Sequence, residues 1–321
     1  TWQRFEPLIR RTVPLPDNEP DTDPFEKERT MSETTLYTRE GDYIPRVVAV
    51  HDLCGYGKCS LGVAIPVLSA AGCDVCPVPT GLFSSHTAFP GWYMHDTTAM
   101  LEDYLAAWKN IGVEIDAVYS GFLGAPEQVD RIRDLYAMYP AALRVVDPVM
   151  ADHGKVYPTY TPELCSAMAE LACGADILTP NLTEAAIILG EPIGEDWGGT
   201  DISDEEAHRL VDALVAKGAK HVVLKGIQRE GETCIRNFVG GLGMDTVEVH
   251  NEYLPYMLHG TGDLYASCLM AAVMAGRTLE EAVRFAGDFV HDAMIVSAKQ
   301  PEFRDRGVSF EPLLGKVCEL L

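Results

Sequence analysis

The chain has 321 residues, 48 of them acidic and 25 basic, for a formal charge of −23. That excess of anions argues against nucleic acid and anionic membrane surfaces as partners, since both require basic patches. With 47% hydrophobic and 23% charged residues a sizeable core is available, and no apolar stretch reaches the about 20 residues of a membrane span.

Residues 1–45 hold Pro7, Pro14, Pro16, Pro20 and Pro24 and the acidic stretch Asp17–Asp23, without sustained periodicity. This composition predicts an extended N-terminal arm, and residues 46–321 read as one domain. The strand Val47–Val50 comes first, then a helix over Ser60–Ala71 and a strand over Cys73–Val78. A loop rich in Gly, Ser, His and aromatics follows over Thr80–Tyr93. Next come helix Thr97–Asn110, strand Ala117–Ser120, helix Glu127–Tyr139, strand Leu143–Val146, helix Pro162–Cys173 and strand Asp176–Leu178. Helix Thr183–Leu189, a glycine-rich loop, helix Asp204–Lys217 and strand His221–Lys225 continue the alternation. Repeated strand–helix–strand units at this spacing predict right-handed crossovers and a mostly parallel α/β sheet with helices on both faces. Thr233–Val239 and Asp245–Asn251, separated by Gly240, Gly241 and Gly243, read as an antiparallel hairpin on one edge. Two helices, Gly262–Ala275 and Leu279–Ser297, close the fold.

The nine cysteines are odd in number and scattered through apolar segments, and no signal peptide is seen, which together predict a reduced, cytoplasmic protein. Cys73 and Cys76 have C-x-x-C spacing but fall in a strand without a second ligand pair, and read as buried small hydrophobes.

In an open α/β sheet, ligands gather at the carboxyl ends of the strands. Those ends are polar, glycine-rich and aromatic here: His51–Lys58, Thr80–Phe89, Ser120–Gly124, Asp147–Asp152, Thr179–Glu184 and Lys225-Gly226. Gly57-Lys58 invites a P-loop, but the first glycine of that pattern falls at Asp52, and Cys59 stands where a metal-binding Ser or Thr belongs. A dinucleotide fingerprint fails too: Ser60 replaces the third glycine, and the second strand ends in Pro77-Val78-Pro79 with no acid for a ribose.

Gly260-Thr261-Gly262-Asp263 precedes the breaker-free run Leu264–Ala275, so the glycines fall at a helix N-terminus. Unpartnered N–H groups and the helix dipole suit an anion there, and Asp263 is placed to take a proton from a hydroxyl beside it. Taken alone, the same residues serve equally as ordinary capping, with Thr261 as N-cap and Asp263 as a dipole-friendly acid.

These segments occur in the order found in the ribokinase-like superfamily, and from Arg46 to Ser297 the chain resembles its pyridoxal kinases. Gly260-Thr261-Gly262-Asp263-Leu264 is similar to the superfamily's catalytic signature. Asp147-Pro148-Val149-Met150 and Thr179-Pro180-Asn181 with Glu184 are similar to metal and nucleotide segments. Phe83-Ser84-Ser85-His86-Thr87 and Ser120-Gly121-Phe122-Leu123-Gly124 are similar to stretches of pyridoxal kinases in particular. The resemblance implies ATP-dependent phosphorylation of the 5′-hydroxymethyl group of a vitamin B6 vitamer. It gives Asp263 as general base and the Gly260, Thr261 and Gly262 backbone as anion hole. Asp147 and Glu184 would organise Mg2+, with Asn181, Glu184, Lys225 and Asp152 on the nucleotide and Asp152–Tyr160 as a lid. Asp147 also suits a loop cap, Asn181 a helix N-cap and Lys225 a solvent-facing strand end. Phe83 and Phe122 would sandwich the acceptor ring, or else pack the core, and His86 and Thr87 would bond the ring's edges. The resemblance further implies a monovalent cation (K+) and a homodimer. Where many pyridoxal kinases have Ser-His, this chain has His51-Asp52, closer to the hydroxymethylpyrimidine kinases. Asp52 is therefore expected on a ring nitrogen or amine, favouring pyridoxamine. A hydroxymethylpyrimidine kinase of the same fold and a non-catalytic B6-binding protein are the alternatives.

Overall fold

The computed structural model describes residues 34–192 and 202–321. The expected arm over residues 1–33 and residues 193–201 of the glycine-rich loop lie outside them. The strands are β1 (Arg46–Cys54), β2 (Asp74–Phe83), β3 (Met94–Asp96), β4 (Ala117–Ser120), β5 (Leu143–Val146), β6 (Ala151–Asp152), β7 (Lys155–Val156), β8 (Ile177–Leu178), β9 (His221–Ile227), β10 (Cys234–Gly241) and β11 (Met244–Glu252). The helices are α1 (Leu61–Ala70), α2 (Thr98–Ile111), α3 (Pro126–Met138), α4 (Pro162–Ala172), α5 (Leu182–Leu189), α6 (Asp204–Lys217), α7 (Thr261–Met274), α8 (Leu279–Ser297), α9 (Phe303–Arg306) and α10 (Leu314–Cys318).

One sheet runs in the order β11-β10-β9-β8-β5-β4-β1-β2-β3. Its pairs from β2 to β9 are parallel, and β10 and β11 form the expected antiparallel hairpin on one edge. Chain order departs in both directions from β1, to β2 on one side and β4 on the other, which makes this the switch point at whose strand ends open α/β sheets hold their ligands. Apolar residues of α1, α7 and α8 fill one side of the sheet, and those of α2 to α6 the other. Every residue of α7 from Leu264 to Met274 is buried, as a helix apolar all round requires.

The structure corrects several boundaries. β1 continues through His51 and Asp52 to Cys54, where pattern reading stops at the first polar residue; both are buried, and β2 pairs with Leu53 and Cys54. β2 likewise runs to Phe83 despite Pro77 and Pro79. Its outer neighbour β3, absent from the sequence reading, pairs only with Gly81–Phe83, so both prolines lie where that side of β2 is unpaired. After α8 the chain adds α9, a 3₁₀ turn at Glu311–Leu313 and α10, again beyond the sequence reading.

Residues 34–45 lie along the body. Thr35 bridges Thr278, Arg39 donates to the carbonyls of Ala71 and Gly72 at 3.1 and 3.3 Å, and the Tyr43 hydroxyl donates to Asp116 at 3.0 Å.

Candidate active site

The carboxyl ends of β1, β5, β8 and β9 and the N-terminus of α7 bring the chemistry together. α7 starts on Gly260, whose φ of 83° is left-handed and whose Cβ, were there one, would stand 1.6 Å from the Lys58 carbonyl oxygen. Only glycine fits both demands. Beyond its own helix, no atom of the described residues lies within 4 Å of the corresponding position at Gly262, so open space faces the first turn. Thr261 is the first helical residue rather than the N-cap, and its hydroxyl donates to the Leu258 carbonyl at 3.1 Å.

Asp263 occupies that first turn with its Oδ1 buried and without a hydrogen-bond partner among the described residues. Burial pushes its carboxyl up to about 7; the Asp147 and Asp52 charges add to the rise, while the Ser60 backbone N–H and Lys225 oppose it. A carboxylate raised to the working pH is what a general base requires.

Asp147, directly after β5, is buried and accepts from Thr179 Oγ1 at 2.8 Å and Lys225 Nζ at 2.5 Å. The Lys225 ammonium also donates to the Thr179 carbonyl and lies 4.0 Å from Glu184. It is therefore no solvent-facing strand end. Burial works against its charge, but Asp147 and Glu184 outweigh this and hold its pKa above the ordinary lysine value. Glu184 closes a capping box with Asn181: each side chain accepts from the other's backbone N–H, at 2.8 and 2.9 Å. Its second oxygen accepts from Met150 N at 3.2 Å, and burial drives its pKa up despite Lys225. Asn181 Nδ2 donates to the Ala151 carbonyl at 2.8 Å, so capping and site contact coexist in one side chain.

The expected lid at Asp152–Tyr160 falls on the small antiparallel flap β6–β7, which begins one residue earlier at Ala151 and whose turn residue Gly154 donates to Thr183 Oγ1 at 2.9 Å. Asp152 sits on this flap, accepting from His153 N at 2.8 Å. Tyr160 is buried beneath, and its hydroxyl accepts from Leu123 N at 3.4 Å.

On the expected acceptor side, Phe83 and Phe122 are buried and meet edge to face, with centroids 5.8 Å apart at 79°. Rings in direct contact leave no slot between them, which corrects the sandwich. His86 is buried, stacks on His259 at 4.6 Å and has Nε2 3.1 Å from the Asp305 carbonyl; Thr87 is exposed. Both Asp52 oxygens are engaged, one by Ser60 Oγ at 2.5 Å and the other by Cys54 Sγ at 3.4 Å. Asp52 thus faces its own chain, and burial raises its pKa.

Sequence reading missed the part played by Ser60. It has φ 52° and ψ −128°, an uncommon backbone state for a residue other than glycine, and links Asp52 through its hydroxyl with Asp263 through its N–H. In the sequence it stands only as the first residue of the helix over Ser60–Ala71 and in place of a fingerprint glycine. The sequence gives His51 no role of its own beside Asp52. His51 is buried beside Tyr119 at 4.4 Å with both ring nitrogens unpartnered among the described residues, and burial lowers its pKa to about 3, keeping it neutral. A Cβ on Gly121 would lie 2.2 Å from its Nδ1, which accounts for that glycine.

A mostly parallel sheet with buried charged side chains gathered at its strand ends, and a buried acid in the first turn of a helix that opens on glycine, define an α/β phosphotransferase. The chain belongs to the phosphomethylpyrimidine kinase family, whose model matches residues 67–305. It is 30% identical over 259 residues to the pyridoxal kinase PdxY of Haemophilus influenzae strain PittEE, covering 74% of this chain and 83% of that one. It is 31% identical over 198 residues to the hydroxymethylpyrimidine/phosphomethylpyrimidine kinase of H. influenzae strain Rd, covering 60% and 70%. A Bacteroides thetaiotaomicron protein provisionally classed as a phosphomethylpyrimidine kinase, in its crystal form with pyridoxal, superposes with a TM-score of 0.80 at 32% identity, over 86% of this chain and 96% of that one.

Proposed function

We propose that the chain transfers the γ-phosphoryl group of ATP to the 5′-hydroxymethyl group of a vitamin B6 vitamer. The observation that carries this is the buried, unpartnered Oδ1 of Asp263, raised toward neutrality in the first turn of a helix that opens on left-handed glycine. Binding alone does not need such a base, which argues against a non-catalytic B6 protein. The pyridoxal relatives favour a B6 vitamer as acceptor.

Asp263 takes the proton from the attacking hydroxyl, and the Gly260, Thr261 and Gly262 backbone stabilises charge building on the transferred oxygens. Lys225 adds positive charge beside the phosphates. Asp147 and Glu184 are hard oxygen donors and fit Mg2+, which when bound neutralises phosphate charge. Asn181 ties the flap bearing Asp152 over the nucleotide side, where it excludes water. Phe83 and Phe122 offer the acceptor ring an apolar wall, with His86 and Thr87 at its rim. Asp52 acts through Ser60 rather than on the ring itself.

The test is ATP consumption measured in parallel with pyridoxal, pyridoxamine, pyridoxine, hydroxymethylpyrimidine and ribose. Turnover confined to the three vitamers supports the proposal. Turnover of hydroxymethylpyrimidine alone establishes the second reading, which the family description and the 31% relative favour. The proposal also carries Mg2+ and K+ dependence, a homodimer and a cytoplasmic setting. The free state of all nine cysteines suits a reducing compartment.

A further inference from the structure

Asp52, Cys54 and Cys59 form a second cluster of donors. The end of β1 and the turn into α1 fold this stretch back on itself, through Gly57 with φ 117°. One ligand atom from each of the three residues lies within 4.8 Å of the others, and Cys54 Sγ is 3.4 Å from Asp52 Oδ2. A tetrahedral zinc ion with Zn–S bonds of about 2.3 Å spaces its ligand atoms about 3.8 Å apart, so the trio closes on an ion with small side-chain rotations. Ser60 Oγ, 2.5 Å from the other Asp52 oxygen, supplies the kind of bond that fixes a ligating carboxylate's orientation. Both thiols are free and half-buried, which leaves the sulfur side of the cluster partly open to solvent.

We propose that Asp52, Cys54 and Cys59 form a binding site for a thiophilic divalent cation of the Zn2+ type, with the fourth coordination position open to solvent. Two sulfur donors set it apart from the all-oxygen pair Asp147 and Glu184, which suits a hard cation. On binding, the two thiols coordinate as thiolates and give up their protons to the buffer. The site rests on its own geometry and not on the identity of the phosphoryl acceptor.

The test uses the full chain under a thiol-free reductant, without nucleotide, titrated with Co2+ as a spectroscopic stand-in. A thiolate-to-cobalt charge-transfer band should grow to one equivalent, be abolished by stoichiometric Zn2+ and persist in a large excess of Mg2+. Cys54→Ser and Cys59→Ser should each cut the band to about half or less and the double variant should remove it, while Cys318→Ser, at the exposed thiol ending α10, should retain it in full. No band in the wild-type chain, or a band of undiminished intensity in Cys54→Ser or Cys59→Ser, overturns the site. Should circular dichroism show one of these variants misfolded, the other decides the question by the same criterion.

Discussion

Burial holds the Asp263 carboxyl at about 7, so near neutral pH only part of the population carries a deprotonated base. The kcat/KM profile should therefore rise with an apparent pKa near 7 and flatten above it. Asp263→Asn should lower kcat by ~10²–10⁴ with little change in KM; a variant keeping more than about a tenth of wild-type kcat would defeat the role of base. The same shift acts on stability with a definite sign. The folded pKa lies above the ordinary 3.8, so between those values the native state holds a proton that the unfolded chain has lost, and stability falls as pH rises through that window. Asp263→Asn should accordingly raise Tm at pH 8 and leave it nearly unchanged at pH 4. Equal effects at both pH values would contradict the assigned shift. Ser60 poses a separate question of backbone strain. Ser60→Ala keeps the φ of 52° and leaves Asp52 short of a bond, at about 1–3 kcal/mol. Ser60→Gly loses the same bond but relaxes the backbone, and in urea denaturation it should be the milder change. Equal losses would show that the backbone carries no strain.

Helix α5 is eight residues long and leans on its cap. Asn181→Ala removes the bond to Glu184 N and the tie to Ala151, and should cost about 0.5–2 kcal/mol. Asn181→Asp keeps the capping acceptor, but it replaces the donor to the flap with an anionic oxygen facing the Ala151 carbonyl. It should retain most of the stability yet raise KM for ATP, measured by initial rates; an unchanged KM would separate the flap from nucleotide binding. At this scale the sequence is a good guide where signals are local. The Asn181–Glu184 box, the glycines ahead of α7 and the strand–helix alternation are written in neighbouring residues. The continuation of β1 through buried His51 and Asp52, and the short β3 over the end of β2, depend on partners distant in the chain. No window of periodicity contains them.

Across the whole molecule a formal charge of −23 makes self-repulsion a standing cost of compactness. Ion pairs such as Arg209 with Glu191 and Glu206 are largely exposed and contribute little each. Raising salt from 0.01 to 0.1 M shortens the Debye length from about 30 to about 10 Å, which screens repulsion among spread charges more than contacts at close range. A thermal melt should shift upward over that range, and a downward shift would mean that the ion pairs dominate.

By itself the sequence determined the alternating α/β order, the edge hairpin and the residues that meet at the strand ends, because periodicity, caps and glycines act over a few neighbours. Tertiary structure alone decided which of those residues face one another. It turned Lys225 onto Asp147, set Phe83 edge-on against Phe122, directed Asp52 toward Ser60 and left Asp263 Oδ1 without a partner. Orientation and burial set a carboxylate's pKa and a ring's accessible face, and both come from segments far apart in the chain that only the folded sheet brings together.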